Sequence, residues 1–205
     1  MNEYLIELDK YLELSGLESI NEEFMNVVDT IPKKYWSQFY ANPTKEGKFL
    51  KDSKDVNTIY LTKPQPKWDY FLIDKHGHWV DLVIYDKFPK LKNMILNLPF
   101  KNTGRIFLIF SKKSEEITTH FDHKHDEWRQ EIIWISLNNS KKLFVMKNGK
   151  PIYIKGSSCW FNSTKVHGTE SNGYGVSVRI DGEFTEEFRE KLFGDTKWKT
   201  IKYEK

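Results

Sequence analysis

Gly175-Val176-Ser177-Val178-Arg179-Ile180-Asp181 alternates apolar and polar side chains without a break. Successive side chains of a β-strand project to opposite faces, so Val176, Val178 and Ile180 share one face while Ser177, Arg179 and Asp181 share the other. A helical turn would mix the two sets. The segment reads as a strand with one side for a core and one side that presents an arginine.

The same character reaches back to Gly104. Short runs rich in Ile, Val, Phe and Trp predict strands over Arg105–Phe110, Ile117–Asp122, Glu131–Leu137, Leu143–Met146, Ile152–Ile154, Cys159–Phe161 and Lys165–Thr169, with Gly175–Asp181 the last. Polar turns separate them. Asn148-Gly149 between two such runs is a strong hairpin signal, because both residues tolerate the positive φ that a tight hairpin turn requires. About eight short strands with regular turns predict a mainly β fold, a sandwich or jelly roll.

The flanks are different. Residues 3–40 read as two helical pieces: Tyr4, Leu5, Leu8, Leu12 and Leu14 recur near helical spacing up to a stop at Gly16, and Asn21–Val28 precedes Ile31-Pro32. Asn42-Pro43 to Lys54 is polar and turn-rich, a surface loop or a lid. Val56–Leu61 predicts a strand, Trp68–Ile73 a short extended piece, and Phe88–Leu98 a helix ended by Pro99. Glu183–Phe193, with Phe184, Phe188 and Leu192 on one stripe and Gly194 as a stop, predicts a closing helix. The 205 residues are read as one domain: a flanking region over 1–100, a jelly-roll core over 101–183, and a closing helix and tail over 184–205.

Composition narrows the function classes. A content of 39% hydrophobic and 15% aromatic residues supports a packed core, and a net charge of +3 from 32 basic and 29 acidic residues is too balanced to imply a nucleic-acid partner. The single Cys159 excludes an intramolecular disulfide and a Cys-rich zinc site, and reads as core packing. Acids near the N-terminus and the lack of any long apolar run give no sign of a signal peptide or a membrane span, so a cytoplasmic setting is expected. Only four of the basic residues are arginines, Arg105, Arg129, Arg179 and Arg189. An arginine inside an apolar strand is therefore a candidate for a role, with a buried structural ion pair as the plain alternative.

Chemistry enters at Thr119-His120-Phe121-Asp122. On a strand His120 and Asp122 project together, and His167 follows 167 − 122 = 45 residues later, after enough strands to bring a second imidazole beside the first pair. Two His and one carboxylate occupy one face of an octahedral ion and leave the other positions open, the arrangement of non-haem Fe(II) oxygenases. A rival His125-Asp126-Glu127 lies in a charged run without strand alternation, a poorer platform for ligands. His76-Gly77-His78 sits on a glycine turn and reads as exposed. Gly168, next to His167, leaves room for close approach to a metal. Arg179, 179 − 167 = 12 residues past that histidine, is suited to bidentate capture of a carboxylate.

Gly104–Phe110, Ile117–Asp122, Trp134-Ile135-Ser136-Leu137, Gly156–Phe161, Val166-His167-Gly168 and Ser177–Asp181, in this order, resemble the Fe(II)/2-oxoglutarate oxygenases of the aspartyl/asparaginyl β-hydroxylase and bacterial proline hydroxylase branch. The resemblance covers about residues 100 to 183 and implies a double-stranded β-helix, a cupin-like jelly roll with flanking helices. It implies Fe(II) held by His120, Asp122 and His167, with 2-oxoglutarate as co-substrate and O₂ as oxidant. Arg179 would pair with the distal carboxylate of 2-oxoglutarate, with Ser177 beside it. Trp134 and Ile132 stand where the branch commonly carries a basic or His side chain that helps hold the co-substrate, and Trp134 has one indole N–H to offer. The implied reaction is hydroxylation of an unactivated C–H bond of an amino acid, free or within a polypeptide, coupled to conversion of 2-oxoglutarate to succinate and CO₂. Two other readings predict different behaviour: a metal-dependent cupin enzyme without 2-oxoglutarate, and a jelly-roll binding module with an incidental His/Asp cluster.

Overall fold

Strands that alternate between two facing sheets organise the chain. A computed structural model describes residues 4–32, 35–38, 56–64, 79–111, 115–116, 119–120, 122 and 131–194. In chain order the elements are β1 (Leu5–Glu7), α1 (Leu17–Val28), β2 (Trp36–Gln38), β3 (Val56–Tyr60), β4 (Thr62–Pro64), β5 (Trp79–Asp81), a 3₁₀ turn (Val83–Lys87) and α2 (Pro89–Leu96), then β6 (Phe100–Ser111), β7 (Glu115–Glu116), β8 (Glu131–Ser136), β9 (Lys141–Lys147), β10 (Lys150–Tyr153), β11 (Ser158–Phe161), β12 (His167–Ser171), β13 (Gly175–Phe184) and α3 (Glu186–Phe193).

From β6 onward the chain crosses repeatedly between the sheets. The larger sheet has the order β1-β11-β8-β13-β6-β3-β2 and the smaller β10-β9-β12-β7, all antiparallel, with β4 and β5 as a separate ribbon. This is the double-stranded β-helix expected from the strand pattern and the resemblance, extended on one side by β3 and β2 and on the other by β1. The Asn148-Gly149 hairpin joins β9 to β10, with φ of 51° and 75° at the two residues.

The alternation of β13 is realised side by side. Val176, Val178 and Ile180 join Ile106, Leu108, Phe110, Ile133 and Ile135 on the outer face of the large sheet, where α1, α2 and α3 cover them. From α1 come Ile20, Phe24 and Val28; α2 adds Leu91, Met94 and Ile95, and α3 adds Phe188, Leu192 and Phe193. Phe24 is fully buried, with its ring 6.2 Å from Phe88 and 5.4 Å from Phe110. Truncating it to alanine would cost about 3–5 kcal/mol through lost contacts and the cavity left behind. Between the sheets a second apolar cluster of Leu5, Ile132, Trp134, Leu143, Val145, Cys159 and Phe161 fills part of the interior.

Several elements depart from the expectations. The helical spacing of Tyr4 to Leu14 yields no helix: Leu5–Glu7 instead pairs with β11 at the edge of the large sheet. Leu5 faces the interior cluster and Ile6 the outer one, the period of a strand. Glu7 accepts the backbone N–H groups of Lys155 (2.7 Å) and Gly156 (3.1 Å), and Asp9 those of Ser157 (2.8 Å) and Ser158 (2.7 Å). Ladder and carboxylate bonds to a waiting sheet edge outweigh the small helical preference of a short segment. Gly16, read as a stop, instead precedes α1 at φ 81°, and the helix starts at Leu17 rather than Asn21.

The closing helix begins at Glu186, because β13 runs on to Phe184 and Thr185 caps the helix through the Phe188 N–H. Strand β12 starts at His167 rather than Lys165, since Asn162 folds residues 162–165 into a turn by accepting from the Thr164 N–H and hydroxyl. The expected extended piece Trp68–Ile73, the loop 42–54, the turn His76-Gly77-His78 and the tail 197–205 lie outside the described residues. Among the described residues no helix is long and apolar enough to cross a membrane.

Candidate metal centre

Reciprocal backbone bonds bring the two histidines together. The His120 N–H donates to the His167 carbonyl at 2.9 Å and the His167 N–H to the His120 carbonyl at 2.8 Å. This is one closely paired rung of an antiparallel ladder, and directly opposed residues project their side chains to the same face. The imidazole centroids lie 4.5 Å apart. The Asp122 N–H donates to the Ser163 carbonyl at 2.9 Å, which ties the carboxylate to the same turn that launches β12. His120 was expected within a strand over Ile117–Asp122. It makes an isolated bridge instead, and the preceding strand β7 ends at Glu116.

The three expected ligands converge. Asp122 Oδ1 lies 3.5 Å from His120 Nε2 and 3.7 Å from His167 Nε2, and the candidate ligand atoms of the three residues all fall within 4.8 Å of one another. Separations of this size suit adjacent positions around one six-coordinate ion. The ring orientation fits as well. His167 Nδ1 lies 2.8 Å from the Lys165 carbonyl, which can only accept, so Nδ1 carries the proton and the Nε2 lone pair faces Asp122. A backbone partner on the far ring nitrogen is the support that metal-binding histidines characteristically use.

Electrostatics favour the ligand form of His167 and of Asp122. Burial pushes the His167 imidazole down to about 4, despite the nearby Asp122 charge, so it is neutral at neutral pH. Burial alone would raise the Asp122 carboxyl, but the Arg179 guanidinium and the two imidazoles outweigh it and hold the group well below the usual carboxylate range. A neutral imidazole and a carboxylate anion are what a divalent cation requires.

Arg179 is also at the site, where it lines the cavity and is bonded to two carboxylates of this chain. Its Nη1 donates to Asp122 Oδ2 at 2.8 Å and its Nε to Asp181 Oδ1 at 2.9 Å, while Arg105 Nε donates to Asp181 Oδ2 at 2.7 Å. The guanidinium is thus a member of a buried ion-pair chain, Arg105–Asp181–Arg179–Asp122, and it lies over the rings of Phe107 and Phe161. Two cations balance two anions. With Oδ2 engaged by Arg179, Asp122 turns Oδ1 toward the imidazoles.

A narrow cavity opens below the ligands, lined among others by Trp134, Thr169, Arg179, Gly168, Phe107 and Phe161. Trp134 is 1% exposed and its Nε1 has no hydrogen-bond partner among the described residues; the same holds for the Ser177 hydroxyl, which shares the inward face of β13 with Arg179. Both residues therefore carry unspent polar atoms at the interior of the barrel. The rival residues His125 and Glu127, together with His123, Arg129, Trp68 and Trp128, lie outside the described residues. Trp79 is buried on β5 and does not line the cavity. Sequence reasoning passed over Arg105 as a partner of Asp181, although both stand on inward-facing positions of adjacent strands and Arg105 is one of only four arginines.

No protein-family model matches the chain, and no curated protein matches it. Among solved structures, a prolyl hydroxylase from Trichoplax adhaerens in complex with a hypoxia inducible factor oxygen degradation domain peptide fragment superposes with a TM-score of 0.53, at 11% identity over 94% of this chain and 88% of that one. The chain has the fold of that prolyl hydroxylase. A Pseudomonas putida prolyl-4-hydroxylase (TM-score 0.46, 10% identity, 88% of this chain and 92% of that one) is also similar. So is a 2OG-Fe(II) oxygenase family oxidoreductase from Burkholderia pseudomallei (TM-score 0.43, 12% identity, 83% and 92%). The likeness is one of fold, and the chemistry is argued from the residues of this chain.

Proposed function

We propose that the protein is an Fe(II)- and 2-oxoglutarate-dependent dioxygenase that hydroxylates an unactivated C–H bond of an amino-acid residue within a polypeptide. The observation that carries this reading is the convergence of His120, Asp122 and His167, with ring and carboxylate orientations set by Lys165 and Arg179, over a cavity inside a double-stranded β-helix. When bound, Fe(II) supplies the oxidising chemistry with 2-oxoglutarate and O₂.

The remaining roles belong to side chains of this chain. His120, Asp122 and His167 would hold the ion and leave its other positions for co-substrate and oxidant. Arg179 fixes which carboxylate oxygen of Asp122 is offered. Phe107, Phe161, Ile109 and Leu143 wall the cavity with apolar surface and limit water at the reacting centre. Trp134 Nε1 and Ser177 Oγ are donors available to a polar co-substrate.

A polypeptide substrate is favoured over a free amino acid because the Trichoplax prolyl hydroxylase of the same fold is described with a peptide bound. The engagement of Arg179 by Asp122 and Asp181 favours one alternative, a metal-dependent cupin-type enzyme that does not use 2-oxoglutarate. Incubating the protein with Fe(II), 2-oxoglutarate, O₂ and a peptide library separates the two. The proposal predicts succinate formation with a one-oxygen mass increase on a peptide residue. Turnover that is indifferent to 2-oxoglutarate, or succinate formation that no peptide raises and that leaves every peptide unoxidised, would overturn it.

A further inference from the structure

The metal ligands separate the cavity from a rim of different character. On the inward face of β9, Leu143 lines the cavity below the ligands, and Val145, fully buried, is paired with His167. The next residue of that face in the opposite direction is Lys147, which is exposed. Strands advance about 3.3 Å per residue, so Lys147 stands roughly 6.6 Å past the His167 rung, on the side of the ligands away from the cavity.

Two more lysines stand close to this level. The Asn148-Gly149 turn sets Lys150 directly opposite Lys147, and Lys150 is exposed as well. Half-buried Lys165 lies two residues before His167, in the turn that launches β12, with its carbonyl against His167 Nδ1. The Met146 N–H donates to the carbonyl of the following residue, Val166, at 2.7 Å, so this turn runs beside the end of β9. Lys147 Nζ also sits 5.4 Å from the centre of the Tyr4 ring, and the Tyr4 carbonyl accepts from the Asn162 N–H of the same turn.

Like charges directly opposite each other on a ladder are destabilising. At the other end of the same sheet Lys142 is paired with Glu170, whereas the rung at the rim sets lysine against lysine. Acids on neighbouring segments are engaged: Asp122 accepts from Arg179, Glu7 from the Lys155 and Gly156 N–H groups, and Glu170 from the Tyr153 hydroxyl. A local cost of this kind beside a reaction centre is expected where an anion is to be recognised.

We propose that Lys147, Lys150 and Lys165 form a substrate-reading rim, and that the polypeptide hydroxylated here carries acidic side chains close to the modified residue. The proposal rests on the reading of the protein as a polypeptide hydroxylase and names the class of polypeptide. The cavity is narrow, so a polypeptide meets the ligands from the side where the lysines stand. An extended chain spans at most about 3.3–3.6 Å per residue, so a carboxylate about two or three positions from the modified residue comes level with Lys147 and Lys150. Exposed ion pairs are individually weak, and together they give a preference among substrates.

The test uses the full-length protein with Fe(II) and 2-oxoglutarate under anaerobic conditions. Synthetic peptide pools share a randomised centre and differ in their flanks, which are Glu, Gln or Lys, and bound peptide is quantified by mass spectrometry after ultrafiltration. Wild type is expected to retain Glu-flanked peptides about 10-fold better than Gln-flanked ones at low salt, with Lys-flanked ones lowest, and the preference should shrink to about 2-fold in about 0.5 M salt. Lys147→Glu/Lys150→Glu is expected to invert the order. If a thermal melt shows that double variant unfolded, Lys147→Gln, expected to lose most of the preference, takes its place. Lys155→Glu, a like charge change beyond the other end of β10, is expected to behave as wild type. Equal retention of the pools, retention of none, or a rim variant that keeps the wild-type order overturns the proposal. So does a single-stranded oligonucleotide that displaces Glu-flanked peptides at a lower concentration than a Glu-rich peptide of equal charge. The visible band of the metal-bound 2-oxo acid, recorded on the same samples, reports on the underlying reading separately. A band without acidic preference removes the rim alone; acidic preference without a band supports the rim and removes the 2-oxoglutarate reading.

Discussion

His120 and His167 exchange both of their backbone hydrogen bonds, at 2.9 and 2.8 Å, although 167 − 120 = 47 residues separate them. The two imidazoles are therefore placed by the ladder itself rather than by a loop. Replacing either histidine with alanine leaves that rung intact, because only main-chain atoms make it. The expected result is a folded protein with Fe(II) affinity reduced by about 100-fold or more, since removing a ligand must cost at least as much as the 10–100-fold typical of its supporting partners. Calorimetric titration with metal, beside a thermal melt of the metal-free protein, separates the two effects.

Arg179→Met removes the cation shared by Asp122 and Asp181. Asp181 keeps Arg105, whereas Asp122 keeps only the imidazoles among its described partners. Breaking a buried ion pair from one side costs about 3–5 kcal/mol. Denaturant unfolding of the metal-free protein should show a loss of that order, and Arg179→Lys should recover only part of it because an ammonium cannot span both carboxylates in the same plane.

Acid should destabilise the metal-free protein in a defined window. The His167 imidazole titrates near 4 in the folded state against 6.5 unfolded, so between these values the unfolded chain binds the proton and the folded one does not. Stability is then full above about 6.5 and falls as pH drops toward 4, by at most about 3 kcal/mol from this group. Asp122, held low, adds in the same direction: its contribution is present above the usual carboxylate range and is lost as pH falls through its folded value. Unfolding free energies measured at pH 7, 5.5 and 4.5 should decline, and His167→Gln should flatten the decline.

The N-terminal strand is predicted to matter although it carries no site residue. Asp9 accepts two successive backbone N–H groups, those of Ser157 and Ser158, beneath Gly156, where a Cβ would sit 2.3 Å from Asp9 Oδ2. Asp9→Ala should cost about 1–2 kcal/mol, with the bonds partly exposed to water. In a chain of this size that is a fall of roughly 2–8 °C in melting temperature, with metal affinity unchanged.

Much of the barrel was legible because its strands announce themselves by period. In β13 each apolar residue went outward and each polar one inward, and Asn148-Gly149 turned where its positive φ angles allow. The convergence of His120, Asp122 and His167 was legible from residue type and from strand logic, although His120 sits on an isolated rung rather than a continuous strand. Three features were hidden. The N-terminal segment became a strand because a sheet edge and the 155–158 backbone awaited it, information absent from its own spacing. Arg179 found Asp181 two residues away on its own face and Asp122 across the barrel; sequence placed the guanidinium correctly but not its partners. Lys141 is adjacent to a second lysine, Lys142, and only the register of β9 against β12 turns it inward.

The most direct test of the central claim is anaerobic visible absorption of the metal-free protein titrated with Fe(II) and 2-oxoglutarate together. The account predicts a charge-transfer band that requires both components and is lost in Asp122→Ala. Tight Fe(II) binding with no such band at any 2-oxoglutarate concentration would contradict it.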